Sequence, residues 1–156
     1  CDWSSDVCSS DLISDSKIIE SAVNGTVSMR NMAVRDIISL AFLGDSVYEL
    51  FVREHVLLKK ICTANRLHKA VVRYVNANAQ AKAAKILIDE LSETELSILK
   101  RGRNHKTKTK AKNVNLKTYK WATGFEALIG FLHVKGEDER LKIIMKRAVE
   151  IIEGKE

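Results

Sequence analysis

Apolar residues recur at helical spacing through most of the chain beyond residue 30. Between residues 33 and 59 they fall at Ile37, Ile38, Ala41, Phe42 and Val52, with Leu50 and Val56 beside them, which predicts one long helix. Thr63 is placed to cap a second helix over residues 64–89, with Leu67, Val71, Tyr74, Ala77 and Ala81 on one side. Its alanine-rich middle, residues 77–84, permits close helix packing. Ser92 and Glu95 make a capping box, and the helix that it opens is expected to end near Lys100. Gly102 then breaks the pattern, and residues 103–115 (RNHKTKTKAKNVN) read as an exposed basic loop with no apolar period. Helix resumes over residues 116–134, with Tyr119, Phe125, Leu128 and Leu132 among its apolar members, and Gly136 ends it. A last helix over residues 137–153 buries Leu141, Ile144, Ala148, Ile151 and Ile152, and residues 12–24 read as a short helix. No segment reads as a strand. The absence of proline and the seven glycines favour long helices over a turn-rich β protein.

The expected fold is therefore all-α, with a single domain over residues 12–156. The polar, serine-rich start, residues 1–11 (CDWSSDVCSSD), reads as a disordered tail or as sequence foreign to the natural protein. A chain of 156 residues suffices for one core. The net charge is +6, but it is local. Residues 96–125 hold nine Lys or Arg and no Asp or Glu, and the remainder carries a net charge of −3. Such asymmetry suggests a polyanionic partner, nucleic acid first. Cys1, Cys8 and Cys62 show neither a disulfide framework nor metal-ligand spacing, and Cys62 reads as a small apolar filler at a helix junction. No apolar run approaches a membrane span and no signal peptide opens the chain, so the expectation is a cytoplasmic protein without membrane association.

The chemistry concentrates in residues 40–50, LAFLGDSVYEL. Asp45 and Glu49 lie one turn apart, so both leave the same helix face. A carboxylate within an apolar run is costly unless paired, hydrogen-bonded or bound to metal. Gly44 and Ser46 are small enough to let a ligand or another helix approach. Glu126 repeats the pattern in a second apolar helix, GFEALIG.

LAFLGDSVYEL resembles the ribonuclease III motif, whose usual form is close to LEFLGDAVLEL. Residues 101–104 (RGRN), followed by a lysine-rich stretch, and residues 122–132 (ATGFEALIGFL) resemble two further blocks of that family, in its small branch, Mini-ribonuclease III. The blocks stand in the family's order, and the resemblance covers residues 34–152. It implies a ribonuclease III-like helical catalytic domain that cleaves double-stranded RNA with Mg²⁺ and leaves 5′-phosphates. Asp45 and Glu126 stand where the family has metal ligands. Two acidic family positions are occupied by Ala41 and Thr123, which fits the reduced acidic set of the small branch and puts a second metal per site in doubt. Glu49 has two open readings, a water-mediated contact to the metal or an ion pair with Arg53. Arg101, Arg103, Asn104, Lys106, Lys108, Lys110 and Lys112 are the expected RNA-binding set. His105 reads as a phosphate contact and His68 as a surface residue.

No RNA-recognition aromatic motif or zinc knuckle is present, which suits duplex RNA, read by shape and backbone. The few residues after Ile152 leave no room for an appended double-stranded-RNA-binding domain, again as in the small branch. The resemblance further implies a homodimer, with Phe42 either at its interface or in the core. It also implies a role in maturing the ends of precursor 23S ribosomal RNA, with room for a ribosomal-protein helper. The alternative is a catalytically inactive module of the same fold that grips structured RNA. A helix-turn-helix DNA binder fits composition alone and leaves Glu126 unexplained.

Overall fold

The computed structural model describes residues 36–59, 63–106 and 115–155. These form six α-helices: α1 (Ile37–Leu57), α2 (Ala64–Val75), α3 (Ala77–Leu87), α4 (Glu93–Asn104), α5 (Leu116–Lys135) and α6 (Asp138–Glu153). A short 3₁₀ turn, Ile88–Glu90, follows α3, and no strand occurs among the described residues. The all-α expectation therefore holds. The expected tail 1–11, the helix over 12–24 and Cys62 lie outside the described residues.

Helix α5 is the axis of the bundle. Apart from Glu126, every residue from Ala122 to Leu132 is buried, and α1, α3, α4 and α6 all pack against it. A helix that is apolar all round can be satisfied only in such a central position. It opens on Asn115, whose side chain accepts from the Lys117 N–H (2.9 Å). It closes at Gly136, in the left-handed region at φ 73°, where the Glu137 N–H reaches the Leu132 carbonyl (3.1 Å).

Helix α1 buries Ile37, Leu40, Ala41, Gly44, Tyr48, Val52 and Val56. This stripe differs from the expected one: Ile38, Phe42 and Leu50 face outward. The buried seam is centred on Gly44, a residue that hydrophobic periodicity does not count. Asp36 caps α1, its carboxylate accepting from the Ile38 and Ser39 N–H groups (both 3.2 Å).

The single helix expected over 64–89 is broken at Asn76, where ψ of 152° leaves the helical region. The Asn76 carboxamide oxygen accepts from the Asn78 and Ala79 N–H groups and starts α3 anew. Thr63 occupies the N-cap of α2 without a side-chain cap bond. The Ser92–Glu95 capping box forms as expected. Its helix, however, runs on past Lys100 to Asn104. Gly102 is buried inside it rather than ending it, because a β-carbon there would come within 2.9 Å of the Gly124 Cα on α5. Arg103 and Asn104 are accordingly helical, not part of a loop. Ile152 is half-buried, whereas the other expected α6 positions are buried.

Two polar clusters tie the periphery down. Glu95, a buried residue of α4, receives Arg140 Nε (2.7 Å) and a second guanidinium nitrogen (2.9 Å) from α6. Those hydrogen bonds hold its carboxyl below the ordinary value. At the other end Glu153 accepts from Lys59, Lys155 and Tyr74.

Candidate active site

The site is made by a crossing of two helices at glycine. A β-carbon on Gly44 would overlap the Glu126 carbonyl oxygen, and one on Gly130 would overlap the Leu40 carbonyl oxygen. Only hydrogen at both positions lets α1 and α5 touch backbone to backbone. The residue after Gly44 is Asp45, and Glu126 lies one turn before Gly130. The crossing therefore brings two carboxylates from distant parts of the sequence to one place.

Their electrostatics follow from that placement. Glu126 is half-buried, and desolvation together with the Asp45 charge pushes its carboxyl up to about 8. Asp45 is more open to solvent and is raised by desolvation first and by the charge of Glu49 second. Asp45 thus ionises before Glu126, and the repulsion falls on the more enclosed partner. One group works against both shifts. The carboxamide of Gln80, from α3, lies against both carboxylates and favours the charged form of each, although its nitrogen meets no partner in full hydrogen-bond geometry.

Two hard oxygen donors that repel each other are a fit for a small divalent cation. Among the described residues no group of three or more His, Cys, Asp or Glu converges. One or two carboxylates can anchor such a cation, its other positions being left to water and phosphate oxygens. The positions of the two acids absent from the motif are otherwise occupied. Ala41 is a buried methyl group, and the Thr123 hydroxyl donates to the Tyr119 carbonyl of its own helix (3.1 Å).

Glu49 accepts from Arg53 Nε (2.9 Å) and from a second guanidinium nitrogen, so the ion pair is formed. Phe42 is 80% exposed, which removes it from the core of this chain. Ile38, Leu50 and Leu57 on the same helix are exposed with it. Arg101, Arg103 and Asn104 occupy the last turn of α4, and Lys106 lies just beyond it. Lys108, Lys110 and Lys112 lie outside the described residues. His68 is exposed and His105 half-buried.

The structure adds residues that the sequence pattern did not single out. Arg103 stacks over the Trp121 ring, 4.7 Å from its centre, beside a cleft of about 220 Å³ lined by Arg103, Asn104, Lys117, Lys120 and Trp121. Lys117 and Lys120 counted in the basic run, but only the helical start at Leu116 places them next to Arg103. Gln80 carried no signal, being one polar residue within an alanine-rich helix.

Comparison with known proteins agrees with the fold. The description "Ribonuclease III domain" matches residues 38–137. The chain is similar to Mini-ribonuclease 3 of Thermoanaerobacter sp. (strain X514), with 49% identity over 73% of this chain and 80% of the relative. Mini-ribonuclease 3 of Brevibacillus brevis is 48% identical over 74% and 86% of the two chains, and that of Streptococcus pneumoniae 43% over 75% and 93%. A crystal structure of a Fusobacterium nucleatum protein superposes with a TM-score of 0.67 at 33% identity, covering 76% of this chain and 96% of that one. With a ribonuclease III domain matched over residues 38–137 and relatives of up to 49% identity over most of its length, the chain belongs to the ribonuclease III family.

Proposed function

We propose that this ribonuclease III-family endoribonuclease cuts double-stranded RNA with Mg²⁺ held by Asp45 and Glu126. The observation that carries the reading is the convergence of those two carboxylates at the Gly44–Gly130 crossing. An acid forced into an enclosed place beside another acid destabilises the metal-free fold, and a divalent cation relieves that cost. When bound, the cation supplies a nucleophilic water at neutral pH and offsets charge on the scissile phosphate. The chain's own groups do the rest. Asp45 and Glu126 fix the position of the cation. Arg101, Arg103 and Lys106, with Lys117 and Lys120, neutralise backbone phosphates, and the Asn104 amide donates to them, setting the duplex in register. Lys108, Lys110 and Lys112 extend that set. Glu49, engaged by Arg53, acts on the cation through water or serves as a surface ion pair.

One acidic pair can cut one strand in a single pose. Cleavage of both strands calls for two pairs on one duplex, which a two-fold dimer provides. The exposed apolar face of α1, with Phe42 at its centre, is the surface that such a dimer would bury. In the cell the substrate we propose is the precursor of 23S ribosomal RNA, cut in the cytoplasm, with a ribosomal protein as helper.

The test is duplex RNA incubated with the protein, with and without Mg²⁺. Paired cuts that require Mg²⁺ and vanish in Asp45→Asn, while RNA binding persists, are the expected result. Cleavage in excess EDTA, or full activity of Asp45→Asn, would overturn the assignment. Binding without any cleavage would instead indicate the inactive RNA-gripping module.

A further inference from the structure

Gln80 is 1% exposed, in the middle of α3. Its Nε2 has no hydrogen-bond partner, and the Tyr48 hydroxyl is the one other buried side-chain atom of that kind among the described residues. Burying an amide donor without a partner is costly, and the usual solution in such a place is an apolar side chain. The surrounding α3 residues follow that rule: Ala81, Ala83, Ala84 and Leu87 are all buried and apolar. Gln80 departs from it at the one point on α3 where the side chain lies against Asp45 and Glu126. Ala41 and Thr123 offer the site no free polar group.

We propose that Gln80 is a positioning residue, its buried carboxamide placed to hold the Asp45 and Glu126 carboxylates at the spacing that a bound divalent cation requires. This rests on the assignment of those two acids as the cation's ligands. The chemistry suits the task. An amide nitrogen carries two hydrogens, so Nε2, unpartnered while the cation is absent, can donate to both carboxylates as they close on a cation, which a hydroxyl cannot. It carries no charge, so it neither competes with the cation, as lysine would, nor adds repulsion, as a third acid would. Burial locks its flexible side chain in one conformation, so the donor stands in place before the cation arrives.

The test is calorimetric titration of Mn²⁺ alone into the RNA-free full chain, comparing wild type, Gln80→Leu, Gln80→Met and Asp45→Asn. Both Gln80 variants should remain folded and resist urea at least as well as wild type, because each replaces an unpartnered amide by apolar volume. Their Mn²⁺ affinity should fall about 10- to 100-fold, the usual effect of removing a group that orients metal ligands. On duplex RNA their kcat should fall at low Mg²⁺ and recover at high Mg²⁺, with KM for RNA unchanged. A folded Gln80 variant with wild-type Mn²⁺ affinity would overturn the proposal, and so would loss of the fold in both, since the amide would then be structural. Asp45→Asn separates the two levels. If it loses Mn²⁺ while the Gln80 variants retain it, only the role of Gln80 falls. If it binds Mn²⁺ like wild type, the assignment of the acidic pair falls instead.

Discussion

Replacing Glu126 by glutamine should make the metal-free protein more stable, and the gain should grow with pH. Glutamine keeps the shape of a protonated glutamate and cannot ionise. In the folded wild type the Glu126 carboxyl holds its proton to about pH 8, whereas in the unfolded chain it releases it near the ordinary value of 4.5. Between those limits the folded state binds one proton more than the unfolded state. Stability therefore falls as pH rises, by up to about 1.36 kcal/mol per pH unit from this one group. Carried across the full interval this is a ceiling of roughly 5 kcal/mol, and partial solvent access at a half-buried carboxyl brings the expected value to about 2–3 kcal/mol. Below pH 4.5 the wild type and the variant should differ little, because both folded and unfolded states are then protonated. Urea unfolding followed by circular dichroism, in EDTA, at intervals from pH 5 to 8.5, measures the difference directly. Adding Mg²⁺ should then stabilise the wild type by mass action and leave Glu126→Gln nearly unchanged. A constant difference across that range, or a variant less stable than wild type at pH 8, would refute the reasoning.

Gly44→Ala should cost about 3 kcal/mol or more, because its β-carbon overlaps a backbone oxygen that cannot move alone; near-native urea resistance would show that the helices can part freely. Hydrogen bonds from Lys155 and Lys59, and then from Tyr74, hold the Glu153 carboxyl well below the usual carboxylate range. Its contribution is thus complete above pH 4.5 and declines as pH falls below that, so Glu153→Gln should flatten the acid limb of a stability-against-pH curve measured by urea unfolding from pH 3 to 6. Phe42→Glu places a charge on the exposed apolar face of α1 and should shift the protein toward monomer in sedimentation velocity. An unchanged sedimentation coefficient would move the interface elsewhere.

Helix content was legible wherever a local signal stood in the sequence. The Ser92–Glu95 box and the Gly136 stop depend on residues a few positions apart, and both were found where expected. Asn76 belongs to the same class of signal but sits inside a run with good helical periodicity, which masked it. The failures at Gly102 and along α1 have a different origin. Periodicity counts apolar side chains, whereas two seams of this bundle are built on glycine, where the side chain is absent and the partner's backbone fills the space. The acids Asp45 and Glu126 stood out because a carboxylate in an apolar helix has an energetic cost visible from sequence. The resemblance supplied their relation to each other. Gln80 stayed hidden because a neutral amide on an alanine-rich helix carries no such cost until its burial is known.

Active sites are often drawn from the loosest parts of a fold, where lids and loops open readily. Here the two acids hang from the stretch where backbone meets backbone, and their Cα positions cannot move apart without parting α1 from α5. That makes the crossing a gauge. A fixed interval between two helix backbones sets the distance from which the acids reach. Variation in this enzyme therefore falls to side chains outside the crossing, which are free to change while that interval stays constant.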